Sequence, residues 1–80
     1  MKTMKIKKSE QRELDRLHEE VRKDFTIESM LLHGEYIRML IEDRTDDVDA
    51  KIEVNFLMLQ LLDGRASSYF RLRQLFNSLT

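Results

Sequence analysis

Cysteine and proline are both missing from this 80-residue chain, and glycine occurs only twice. Without cysteine there is no disulfide and no thiolate metal ligand, and nothing points to an oxidising compartment. Without proline, and with glycine only at 34 and 64, few positions interrupt a helix. No apolar run approaches the roughly 20 residues of a membrane helix, and no apolar stretch follows the opening lysines as it does in a signal peptide. These absences predict a cytoplasmic protein with no membrane partner.

What is present fits a small helical domain. Charged residues make up 36% of the chain and hydrophobic ones 41%, with a formal net charge of −1. That balance supports a core and argues against disorder. A chain this short buries a modest share of its surface, so oligomerisation or tight helix packing has to supplement the core, and a homodimer is expected. The small net charge hides an uneven distribution. Residues 1–25 carry eight Lys/Arg against six Asp/Glu, residues 26–63 carry three against nine, and residues 64–80 carry three arginines and no acid. Basic ends flank an acidic middle.

Apolar spacing predicts a mainly α fold, a single domain of about four helices in a small bundle over 1–80. Helices are expected at 9–25, 26–44, 47–62 and 67–79. Residues 1–8 form a basic strand or tail, and a short N-terminal strand would pair across a homodimer. Ser9 is the expected N-cap of the first helix, whose Leu14, Leu17, Val21 and Phe25 form a narrow apolar stripe. Thr26 is the expected cap of the second, with Ile27, Met30, Leu31, Ile37, Leu40 and Ile41 on its apolar side and Gly34 among them. A glycine inside a helix costs roughly 1 kcal/mol relative to alanine, so close approach of another backbone is its expected reason. Thr45, Asp46 or Asp47 caps the third helix. Its Val48, Ile52, Phe56, Leu59 and Leu62 share one side, and Val54, Leu57, Met58 and Leu61 fill much of the rest. Such a helix is either buried centrally or gives one face to the core and one to a dimer interface. Gly64 ends it, and a fourth helix from Ser67 or Ser68 carries Tyr69, Leu72, Phe76 and Leu79 at core spacing.

Catalytic patterns are weak, and the residues read as those of a non-enzyme without cofactor or metal. His18 and His33 lack partners at the helical spacing of a metal motif and read as surface or packing histidines. Asp46, Asp47, Asp49 and Glu53 form an acidic group without the glycine of a calcium loop, and acids at a helix start are expected for dipole reasons alone.

The opening stretch Met1-Lys-Thr-Met-Lys-Ile-Lys-Lys places four lysines in eight residues. As a strand it would turn Met4, Ile6 and Lys8 one way and Thr3, Lys5 and Lys7 the other. Strands from two copies, paired antiparallel, would form a ribbon able to enter a DNA major groove. Otherwise the segment is a basic tail. This segment, the helix after Ser9 and the run Gly34-Glu-Tyr-Ile-Arg-Met-Leu-Ile-Glu-Asp-Arg44 together resemble the ribbon-helix-helix DNA-binding family, accessory proteins of plasmid mobilisation among them. The resemblance covers at most residues 2–44. It implies an intertwined dimer that reads bases through Thr3, Lys5 and Lys7 and brings residues 26–29 near phosphate. The family's glycine-containing turn between its two helices is missing here.

Two functional readings follow. In the first, the chain is a small dimeric DNA-binding regulator or a plasmid or phage accessory protein. Double-stranded DNA is its partner, Thr3, Lys5 and Lys7 make contacts, and Lys2, Lys8 and Arg12 steer to phosphates. In the second, it is a non-enzymatic all-α adaptor or inhibitor, of the kind made by phages and mobile elements, that binds a larger host protein through helix faces.

Overall fold

The structure, a computed structural model, describes residues 4–80. They form four helices, α1 (Lys8–Lys23), α2 (Ile27–Arg44), α3 (Val48–Leu62) and α4 (Ser67–Leu79), with no strand among the described residues. The mainly α bundle is the expected one. None of these helices is long and apolar enough to cross a membrane.

The starts of the first three helices have local causes. α1 begins ahead of Ser9, with Lys7 at the N-cap position. Glu10 reaches back so that its Oε1 accepts the Lys7 N–H at 2.9 Å. The acid half of a capping arrangement sets this start, and Ser9 lies inside the first turn. Thr26 does cap α2, its Oγ1 accepting the Ser29 N–H at 3.1 Å. Of the three candidates before α3, Asp47 is the cap, accepting the Ala50 N–H at 3.2 Å. Gly64 turns the chain out of α3 with φ +86°, in the left-handed region that a side chain disfavours.

The helices assemble around α2, which packs against α1, α3 and α4; α3 also packs on α4, whereas the backbone of α1 approaches that of α2 alone. The core takes Leu14, Leu17 and Val21 from α1, and Met30, Ile37, Leu40 and Ile41 from α2. It takes Tyr69, Leu72, Phe76 and Leu79 from α4. Phe25 is a correction. Spacing placed it on the α1 stripe, but it lies beyond the helix end, 60% exposed, stacked on Phe70 at 6.2 Å between ring centres.

Gly34 has the expected kind of reason, with a different neighbour. A Cβ there would lie 2.9 Å from Met58 Sδ, 3.5 Å from Leu72 Cδ1 and 3.6 Å from Leu61 Cδ2. Side chains of α3 and α4, not another backbone, fill the space. A branched side chain would overpack this point, where strain of roughly 1–3 kcal/mol is usual. Gly34→Val is therefore expected to lower stability by about 2 kcal/mol, read as a lower urea midpoint at unchanged slope.

Candidate interaction surfaces

Three places outside the apolar core carry chemistry: the basic N-terminal segment, a histidine-lined cleft and the outer face of α3.

The N-terminal segment has no regular secondary structure from Met4 to Lys7, where the backbone becomes extended, and it is fixed at several points. Met4 is buried, and its N–H donates to the Leu79 carbonyl at 2.6 Å, so the segment closes over the end of α4. Arg44, at the end of α2, donates from Nη1 to the Lys5 carbonyl at 3.2 Å and to Glu10 Oε1 at 2.8 Å, while its Nη2 bonds Glu10 Oε2. A forked guanidinium–carboxylate pair of this kind combines charge with fixed geometry. With the Lys7 N–H it lowers the Glu10 pKa to about 2. Met4 is buried and Ile6 partly so, while Lys5 and Lys7 are exposed; Lys8, expected on the side of Met4 and Ile6, is exposed too and opens α1.

Of the residues singled out for DNA, Lys5, Lys7, Lys8 and Arg12 are exposed, without an ion pair among the described residues. Lys2 and Thr3 lie outside the described residues. Within one chain, Lys5 sits at the C-terminal end of α2. About 25 Å of helix separates it from the Thr26 end, at 1.5 Å per residue. The structure therefore does not bring the expected phosphate-facing stretch, Thr26 to Ser29, near the basic segment of the same chain.

The cleft, about 130 Å³, opens where α1 and α4 stand apart over α2. Its floor is His33 and Ile37, its walls include Asp15 and His18 on one side and Arg73 and Phe76 on the other. Sequence spacing kept the two histidines apart, yet their rings stack at 5.6 Å between centres. No linear pattern signals this, because fourteen residues and a turn intervene. His33 is the packing histidine expected, 4% exposed, with Nδ1 2.7 Å from the Tyr69 hydroxyl. Burial lowers the His33 pKa to about 4, aided by positive charge at His18 and Arg73, and burial raises that of Tyr69. Both groups are neutral at pH 7 and share one proton in a hydrogen bond linking α2 to α4. Arg73 lies over the Tyr69 ring, 5.8 Å from its centre.

The outer face of α3 is apolar from end to end. Val48, Ile52, Phe56, Leu59 and Leu62 are each 54–66% exposed. The opposite face, with Ala50, Val54, Leu57, Met58 and Leu61, is buried on α2 and α4. The helix is thus not buried centrally: one face is in the core and the other is exposed. Polar residues mark the edges of the outer stripe. On the α2 side, Asn55 donates to Glu42 Oε1 at 2.8 Å, and Glu42 in turn binds Arg38 at 2.8 Å. In the acidic group before and along α3, Asp47 is the helix cap, and the described residues hold no cluster of three or more His, Asp or Glu groups arranged for a metal ion.

Comparison of the chain with protein-family models, with curated proteins and with solved structures found no match in any of the three.

The buried histidine makes stability depend on pH. His33 has a folded pKa of about 4 against 6.5 for an unperturbed histidine. Above pH 6.5 its contribution is complete. As pH falls towards 4 the unfolded chain takes up the proton and the folded one does not, so stability drops, by at most roughly 3 kcal/mol. Urea unfolding at pH 7.5 and pH ~4.5 is expected to show most of this loss, and an NMR titration should place the His33 midpoint near 4.

Proposed function

We propose that this chain is a non-enzymatic protein-association module, an adaptor or inhibitor working through the outer face of α3. One observation carries this reading: five large apolar side chains run in a continuous stripe along a helix whose other face is already buried. Scattered exposed apolar residues need no explanation, but a contiguous patch of this kind marks an interaction surface. The stripe contains no charge, while polar groups line its edges, the layout of an interface with an apolar centre and a polar rim.

A DNA-binding regulator is the second reading, favoured by Lys5, Lys7, Lys8 and Arg12, which are exposed and have no ion pair among the described residues. Its ribbon form, with N-terminal strands paired across a homodimer, has a cost. In a strand, alternate residues bond to opposite sides. Here the Met4 N–H and the Lys5 carbonyl are already taken by Leu79 and Arg44. Pairing with a second copy has to release such bonds, which makes the basic segment better suited to phosphate attraction than to base reading.

The association reading predicts that the chain, recovered from the cells that produce it, runs in native mass spectrometry as a larger assembly. Phe56→Glu/Leu59→Glu, with unchanged circular dichroism, should run as a lone chain. Recovery of both proteins as lone chains would sink the reading. For DNA, fluorescence anisotropy across a salt series is expected to show weak, salt-steep binding that Lys5→Ala/Lys7→Ala reduces; no binding at low salt removes that alternative.

A further inference from the structure

We infer that the occupant of the α3 face is a second copy of this chain, docked antiparallel about a two-fold axis through Phe56. This rests on the reading of α3 as an association surface and names its partner.

Three observations favour self-docking. The first is the order of residues along the stripe. If two α3 helices lie antiparallel with Phe56 near the axis, Ile52 of one copy falls opposite Leu59 of the other, and Val48 falls beside Leu62. Every large side chain of the face then meets another, as a two-fold interface requires. Ile52 and Leu59 lie four and three residues from Phe56, and Val48 and Leu62 eight and six, so each pair is close to level and one surface serves both partners. Parallel docking would leave Val48 on Val48 and bring the two acidic helix starts together.

The second is charge at the ends. Asp46 and Asp49, at the start of α3, are exposed and have no ion pair among the described residues. Arg65, just past its end, is exposed too, and its one ion pair is a long 3.8 Å contact with Asp63. In the antiparallel register Asp46 of each copy comes level with Arg65 of the other. The helix dipoles also oppose, placing each acidic, positive-dipole end beside the other's negative-dipole end. Both ends of the interface are thus complementary.

The third is size. The stripe follows about 21 Å of helix. It exposes on the order of 500 Å² of apolar surface, and its polar edges bring each copy towards the ~800 Å² that one side of a standard interface buries. A dimer also supplies the extra burial that so short a chain needs.

Sedimentation equilibrium from micromolar to millimolar concentration tests the inference on the full chain. Wild type should pass from one to two chain masses. Phe56→Glu should weaken association by roughly 100-fold, as expected of a central anchor residue. Leu32→Glu, an exposed leucine on α2 rather than α3, should leave it unchanged. If Phe56→Glu alters circular dichroism, Ile52→Lys replaces it. The absence of cysteine permits a second test. Asn55→Cys, near the axis, should oxidise to a covalent dimer, whereas Val48→Cys should not, because antiparallel docking places the two copies of residue 48 at opposite ends.

A covalent dimer from Val48→Cys with none from Asn55→Cys overturns the antiparallel register. A wild type that stays monomeric, or a dimer indifferent to Phe56→Glu, overturns self-docking. If the wild type is monomeric but native mass spectrometry finds another protein bound through Phe56, the association reading stands and only the choice of partner fails. If it is monomeric and recovered alone, both fall.

Discussion

Three helices pack on α2, and Gly34 is where α3 comes close: a Cβ there would lie 2.9 Å from Met58 Sδ, with Leu61 and Leu72 at ordinary contact distance. The absent Cβ leaves room for Met58 between α2 and α3, beside the buried Val54, Leu57, Leu61, Tyr69 and Leu72. Glycine's helix penalty of roughly 1 kcal/mol is small against the apolar burial it permits, about 1.5–3 kcal/mol for each large side chain removed from water. α2 has little apolar asymmetry because it has neighbours on three sides.

α1 is attached differently. Its backbone approaches only α2, and its buried stripe is just Leu14, Leu17 and Val21. The forked Arg44–Glu10 pair fixes its first turn to the end of α2. Further along, His18 stacks on the buried His33, which is itself bonded to Tyr69. These polar ties add direction where the apolar seam is thin. They also stagger two acid responses: His33 loses its contribution between pH 6.5 and about 4, whereas Glu10, with its pKa lowered from 4.5 to about 2, loses its contribution between those two values.

Much of this architecture can be read from the residues. Thr26, Asp47 and Gly64 punctuate the chain where their chemistry requires, and the spacing of Tyr69, Leu72, Phe76 and Leu79 marks one buried face. α3 marks a limit. Its two apolar faces look equivalent in sequence, and only packing selects the one with the small Ala50 and the flexible Met58 for the core. Lys7 replaced Ser9 as the cap position because a long acidic side chain three residues on reached back, a choice that residue preference does not predict. The histidine pair depends on how α1 crosses α2. Phe25 escaped the α1 stripe because the helix ended two residues before it. For the interaction surfaces, sequence identified the basic residues and the outer α3 stripe, but not which of them the fold would tie down.

The bond from the Met4 N–H to the Leu79 carbonyl joins the two ends of the described chain. The last carbonyls of a helix ordinarily have water as their partner and fray freely. Here one is held by the segment that leads into α1. Loosening the final turn of α4 therefore frees the Met4 N–H, while Arg44 and Glu10 still hold the backbone of Lys5 and Lys7. The last turn of α4 is thereby pinned from the N-terminal side, and its fraying costs a bond made by the segment before α1.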